Sequence, residues 1–593
     1  MKFTNSYRSI LLLFVLITTA MLTAPSHAQV RREMTESALK AMGAPNNPKV
    51  EIAWNRYYDT KQLLEIMQRI EKAHPTLAKV TSIGKSVEGK DMWLITVSNF
   101  ANGDPDKKPA MYIDGNIHSN EIQGAEVALY TAWYVTEMYN TTEWIHKLLD
   151  EKTLYILPSI NPDARDHYIH KPNTASSPRS GLDPRDDDGD GLVDEDGYDD
   201  LDGDGNITQM RIKDPNGRWV SDPDDPRIMV RAEPDQPGQY TLLGSEGLDN
   251  DGDGLVNEDG PGSYDPNRDW GWNWAPRYVQ GGADRYPFIF PENRAAAEFI
   301  IAHPNIAAAQ SYHNSGGMIL RGPGTQGEVR TYSPPDIQTY DFLGKLGEEM
   351  LPGYRYLIVY KDLYTVYGGE IDWLYGARGI VTFSNELWTS FDYFRRQREE
   401  GEARTRDRGI TYRFDKLLLF EEGVVPWKKY SHPQYGEIEV GGFKKAWTRT
   451  APSFLLEDMC HRNMAFTLFH LYHTPKVEVD SISTKQLSGG LTEVTAVVKN
   501  TRVIPTHTMQ DVRNKITRPD WIKIKGGKVI AASILENRFF GIASEQKHHP
   551  ERIEVENIPG MDAVYVRWIV QGKGPFTVTV DSEKGGSHSL KSR

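Results

Sequence analysis

Between residues 55 and 475, short apolar runs alternate with stretches of helical periodicity. After Pro475 the pattern changes to period-2 alternation of apolar and polar residues. Strand-like runs fall at 94–98, 110–114, 153–158, 306–312, 354–360 and 379–384, and helical spacing at 60–74, 124–140, 291–303 and 451–473. Largely apolar strands interleaved with helices need both faces of a sheet covered. The first part is therefore expected to be α/β, with a mixed central sheet flanked by helices. The segments VEVDSIS, LTEVTAVVKN, WIKIKGGKVIAAS, RIEVENI, AVYVRWIV and FTVTVDS predict a C-terminal all-β sandwich. The expected divisions are a leader at 1–28, a lead segment at 29–54, an α/β domain at 55–474 and the sandwich at 475–593. An insertion rich in Asp, Gly and Pro, about 171–262, interrupts the α/β domain. Its length predicts structure of its own rather than a bare loop.

The leader has Lys2 and Arg8, an apolar core from residue 10 to 22, and small residues at Ser26 and Ala28 before Gln29. This is the signature of a secretory signal peptide. Export to a periplasm or to the extracellular medium follows, with no stable membrane insertion once the leader is removed, because no other stretch approaches 18 apolar residues. A single cysteine, Cys460, excludes an intrachain disulfide framework and a Cys-rich zinc site. The formal net charge of −14 disfavours a nucleic-acid partner.

The chemistry-bearing residues lie in the α/β part. His118 and Glu121, three apart, stand where a strand-like run gives way to a helix, a spacing that lets both converge on one zinc. His313 ends another apolar run, where sites in sheets of this kind collect, and is the candidate third ligand. Glu386 lies near the end of a buried run, where a carboxylate is costly unless paired or functional. Asn267-Arg268 offers a guanidinium suited to gripping a carboxylate through two parallel bonds.

Taken in order, H-S-x-E (His118/Glu121), N-P-D (161–163), N-R (267–268), the strand-end His313, Y-x-x-x-G-G-x-I-D-W (364–373) and Glu386 resemble the zinc carboxypeptidases of the carboxypeptidase A type. The resemblance covers roughly residues 55–473 and implies a secreted metallocarboxypeptidase acting on peptide or protein C-termini. It implies His118, Glu121 and His313 as zinc ligands, and Glu386 as the general base toward a zinc-activated water. Asn267 and Arg268 would bind the terminal carboxylate, Tyr364 would close over the substrate, and Ile371 would set an apolar preference. The guanidinium for the developing oxyanion is matched by Arg179, with Arg185 and Arg211 as rivals. The family's digestive members have Arg between Ser and Glu of H-S-x-E; here Asn120 removes that charge. Two other readings remain open: a cell-wall peptide amidase of the same fold, and a calcium-dependent surface-binding protein with an inert hydrolase domain.

Residues 186–205 contain 11 acidic residues and residues 249–260 contain 5, with no basic residue in either window. Setting these 16 aside from the 82 Asp+Glu leaves 66. Setting Lys2 and Arg8 aside from the 68 Lys+Arg also leaves 66, so the mature chain's net charge resides in the two windows. Asp186/Asp188/Asp190 with Asp194, Asp200/Asp202/Asp204, and Asp249/Asp251/Asp253 with Asn257 place oxygen ligands at positions 1, 3, 5 and 9. Gly at 6 and an apolar residue at 8 complete a calcium-loop pattern. The glutamate expected at position 12 is missing. The expected cofactors are one catalytic zinc and structural calcium.

Overall fold

The computed structural model describes residues 41–389, 391–395 and 408–592. The expected leader, and residues 29–40 of the lead segment, lie outside this range. The chain divides into Met1–Glu51 and Ile52–Arg593, and the description below concerns the second unit.

An eight-stranded mixed sheet forms the centre of the α/β part. Across it run β1 (Ala78–Lys85), β2 (Asp91–Val97), β4 (Thr153–Leu157), β3 (Ala110–Gly115), β9 (Ile306–Asn314), β12 (Val381–Leu387), β10 (Met318–Arg321) and β11 (Arg355–Ile358). The inner run β4, β3, β9, β12 is parallel. Every residue of β3, β4 and β9 is buried, as expected for strands covered on both faces. The helix Gln123–Met138 packs on β3 and β9, and Ser453–Tyr472 packs on that helix. The helix Thr60–Ala73 begins with a capping box, Asp59 accepting from the Gln62 amide (2.8 Å), and buries Leu63, Ile66, Met67 and Ile70.

The expected insertion does carry structure. Strands β5 (Gln209–Lys213), β6 (Trp219–Ser221), β7 (Met229–Arg231) and β8 (Tyr240–Ser245) pair with a later hairpin, β13 (Val424–His432) and β14 (Gly436–Phe443). Together they form a six-stranded sheet, ordered β13-β14-β5-β8-β6-β7. Two distant stretches of chain thus build one platform. The strand expected at 354–360 is shorter than anticipated: β11 ends at Ile358, whose amide donates to Asp362, and a π-helical turn Val359–Leu363 follows.

The C-terminal part is a sandwich. Its five-stranded sheet runs β15 (Val477–Gln486), β16 (Leu491–Asn500), β21 (Asp562–Gln571), β18 (Lys528–Asn537) and β19 (Ile542–Glu545), and its four-stranded sheet β20 (Arg552–Val555), β17 (Asp520–Lys525), β22 (Thr577–Ser582) and β23 (Gly586–Lys591). Trp568, Val566, Val494, Ile522 and Val580 are fully buried between the sheets. The sandwich is bonded to the α/β part. Lys584 Nζ donates to the Gly379 carbonyl (3.2 Å), Gln510 Nε2 to the Gly376 carbonyl (2.8 Å), and the Met509 amide to Asp336 (2.9 Å). Among the described residues, no helix is long and apolar enough to cross a membrane.

Candidate active site

β3 delivers the first two candidate ligands. Gly115, at its end, abuts Gly124 so closely that a Cβ would lie 2.7 Å from backbone, which lets the next helix start against the strand. The turn between them holds His118 and Glu121, both 1% exposed. His313 comes from the end of β9 and Glu386 from β12; the two are register partners across that parallel pair. His118 Nδ1 lies 3.0 Å and His313 Nδ1 2.9 Å from Glu121 Oε2, and the two nitrogens are 3.2 Å apart. Zinc–ligand bonds of about 2.0–2.1 Å at tetrahedral angles put ligand atoms about 3.3–3.4 Å apart, so these three donors fit zinc. Burial raises the Glu121 carboxyl, but His118 and Arg179 outweigh it and hold the group well below the usual range.

The outward side of His118 is also held, its Nε2 2.9 Å from Asp265 Oδ1. Such a partner fixes ring orientation and aims the other nitrogen inward. His313 has no such acceptor in Asn267, whose side-chain nitrogen, a donor, stands 3.3 Å from Nε2. Asp265 also accepts from the Asn267 amide (2.8 Å) and pairs with Arg268 (3.5 Å) and Arg179 (3.7 Å). Asn267 Oδ1 caps the helix Glu370–Gly376 at the Glu370 amide (2.9 Å). Gly368, with φ +63°, passes over this segment; a Cβ there would stand 2.7 Å from the Arg268 carbonyl.

His118 and His313 line a recess with Arg179, Arg268 and Glu386, whose other wall is apolar: Leu320, Val359, Leu363, Val366 and Ile371. Beside it lies a cleft of about 900 Å³ lined by Arg179, Arg268, Tyr364, Glu386 and Arg449, among others. Burial and the Glu121 charge push Glu386 up to about 7, against His313, Arg179 and Arg449. Tyr364 is 55% exposed. Of the three candidate arginines, only Arg179 reaches the cleft, its Nη1 donating to Glu121 Oε1 (2.7 Å). Arg185 pairs with Asp183 and Asp284, and Arg211 with Glu439 (2.6 Å). N-P-D is scaffolding: Asn161 caps the helix Pro162–His170, and Asp163 accepts from Ser86 (2.8 Å) and the Glu88 amide (2.9 Å).

The sequence reading missed Asp265 and Arg449. An Asp three residues before Arg268 was the available signal for the first. Arg449 sits in no motif. Its Nη2 donates to the Asn314 carbonyl (2.6 Å) and stands 3.5 Å from Glu121.

Among the acidic loops, carboxylate oxygens group within 4.8 Å of one another in four sets: Asp186/Asp188/Asp259, Asp188/Asp190/Glu195/Asp251, Asp249/Asp251/Asp253 and Asp200/Asp202/Glu246. Asp194 and Asp204 are not brought into these carboxylate sets, whereas Glu195, Glu246 and Asp259, absent from the sequence reading, are.

A sequence model described as zinc carboxypeptidase matches residues 63–183 and 249–400, and one described as a domain of unknown function matches residues 476–593. Over 140 residues the chain is 26% identical to carboxypeptidase D of Homo sapiens, covering 24% of this chain and 10% of that protein. It is 34% identical over 108 residues to carboxypeptidase Z of Mus musculus (18% and 16%), and 27% identical over 113 residues to a zinc carboxypeptidase of Saccharothrix mutabilis subsp. capreolus (19% and 26%). The chain thus spans about a tenth of the length of the carboxypeptidase D relatives. Thrombin activatable fibrinolysis inhibitor aligns over 75% of this chain and 87% of its own at 16% identity and a TM-score of 0.41.

Proposed function

Because residues 63–183 and 249–400 belong to the zinc carboxypeptidase family, we propose that this protein is a zinc-dependent metallocarboxypeptidase acting outside the cytoplasm, releasing C-terminal residues from peptides or proteins. The observation that carries this reading is the approach of His118, Glu121 and His313 at ligand spacing, at the edge of a cleft that also holds Glu386 and Arg179. Zinc held by the three donors supplies a Lewis acid that lowers the pKa of water and polarises a carbonyl.

The chain's own residues do the rest. Glu386, half-buried and pushed up to about 7, takes a proton from the attacking water and returns it to the leaving amine. Arg179 stabilises the charge that develops on the scissile carbonyl oxygen. Arg268 and Asn267 hold the substrate's terminal carboxylate, and the exposed Tyr364 closes over it. The recess around Ile371 takes an apolar C-terminal side chain. Calcium orders the acidic loops of the insertion, where sets of three or four carboxylates would otherwise repel.

The test is Glu386→Gln in full-length protein, with metal content and release of C-terminal residues measured together. Retained zinc with hydrolysis reduced by at least 10³-fold is expected, in line with the loss of a general base. Full activity in the variant, or equal cleavage of peptides with amidated C-termini by the wild type, refutes the reading.

A further inference from the structure

Residues 186–197 and 249–260 have the same grammar, D-x-D-G-D-G-L-V-(D/N)-E-D-G, so Glu195-Asp196 corresponds to Glu258-Asp259. The two repeats meet: Asp196 and Asp259 form an antiparallel bridge, with the Asp196 amide donating to the Asp259 carbonyl (3.0 Å). The side chain of Asp196 is occupied as a clasp. It accepts from the Asn257 amide (2.9 Å) and from the Asn250 side chain (3.1 Å) and amide (3.3 Å), all in the other repeat.

Its counterpart Asp259 is not occupied. The residue is fully buried and neither carboxylate oxygen has a partner in hydrogen-bonding geometry, although the amides of Asp187 and Asp194 lie near enough to favour its ionised form. An oxygen of Asp259 instead lies within 4.8 Å of Asp186 and Asp188 in the other repeat. Glu195, likewise without a hydrogen bond on either oxygen, groups with Asp188 and Asp190 of its own repeat and with Asp251 across the bridge. Asp188 belongs to both sets. A buried carboxylate this short of donors and grouped with two others either takes up a proton or is met by a cation.

We infer that the two repeats are one joint calcium centre rather than two separate loops. One ion is held by Asp186, Asp188 and Asp259, a second by Asp188, Asp190, Glu195 and Asp251, and Asp188 bridges them. This rests on the calcium reading above. It has a consequence for the active site, because Arg179 precedes the first repeat by seven residues and Asp265 follows the second by five. The joint centre ties together the two segments that bring those side chains to the zinc ligands.

The experiment is calcium titration by calorimetry on full-length protein stripped with chelator, comparing wild type, Asp186→Asn, Asp259→Asn and the third-loop variant Asp200→Asn. Asp259→Asn should weaken calcium binding at least tenfold and remove the same ions that Asp186→Asn removes, although the two residues lie in different repeats. Asp200→Asn should leave those ions in place. If Asp259→Asn binds like wild type while Asp186→Asn loses an ion, the joint centre is overturned and the calcium reading stands. If wild type binds no calcium, both fall. Thermal unfolding in chelator reports whether each variant folds. Should Asp259→Asn not fold, Glu195→Gln and Asp251→Asn take its place: the two residues lie in different repeats yet share one set, so both should remove the same ion, and loss of separate ions, or wild-type binding in Asp251→Asn, overturns the inference.

Discussion

Removing Asp265 should loosen zinc without touching a ligand. Its Oδ1 is 2.9 Å from His118 Nε2, so it holds the ring with Nδ1 facing Glu121 and His313. Burial raises this carboxyl, but Arg268, His118 and Arg179 outweigh it and keep it ionised well below the usual range. A charged partner behind a ligating imidazole is worth 10–100-fold in metal affinity, or about 1.4–2.7 kcal/mol. Asp265→Ala also removes the cap on the Asn267 amide and leaves Arg268 without its carboxylate, so it belongs at the upper end. Asp265→Asn keeps shape and cap but loses the charge, and belongs at the lower end. Competition against a chromogenic chelator at fixed pH gives the zinc dissociation constant. The unfolding midpoint of zinc-free protein separates lost affinity from lost folding. Wild-type zinc affinity in both variants would refute the argument that Asp265 orients and polarises His118.

Two further outcomes concern stability. Glu126 and Arg165 form a fully buried pair at 2.6 Å, so Glu126→Ala strands a guanidinium in the core and should cost about 3–5 kcal/mol. A shift in denaturant midpoint at unchanged slope measures it, and an unshifted midpoint contradicts it. Burial would lower His507, but hydrogen bonds to Asp511 and Asp520 prevail and raise it to about 9. A raised histidine stabilises the fold fully below its unfolded pKa of about 6.5, and that contribution fades as pH rises toward 9. Wild type should therefore lose thermal stability from pH 6.5 to 9.5 more steeply than His507→Gln; parallel curves would exclude the linkage.

Much of the sheet and the motif-borne part of the candidate site were legible because their signals are local. A largely apolar run ending in His, as in 306–313, reads as a central strand presenting a group at its edge, and β9 has that form. The H-x-x-E turn before a helix was equally readable. What escaped depends on partners distant in sequence. Asp265 acquires meaning only beside His118, 147 residues earlier, and Glu246 only beside Asp200 and Asp202. The β13–β14 hairpin had a usable signal, period-2 alternation around His432-Pro433-Gln434-Tyr435-Gly436. Its exposed Lys and Glu positions gave no sign that it pairs with the insertion at β5.

Asn120 shows how a local departure can mislead about a site. In isolation, it subtracts a positive charge from the cleft where the family's digestive members carry Arg. In the fold it is 1% exposed and its amide faces the Ala175 carbonyl (3.4 Å). The cleft's positive charge comes instead from Arg179, Arg268, Arg355 and Arg449, against Asp265, Asp362 and Glu386. Arg449 lies outside the residues that match the family, beyond the hairpin that completes the insertion's sheet, and its backbone carbonyl accepts from Asn314 (2.9 Å), next to His313. Four guanidinium groups against three carboxylates leave this side of the cleft cationic, which favours an anionic ligand. Part of that charge is thus contributed from outside the family match, and a reading confined to the matched motifs would assign the cleft too little positive charge.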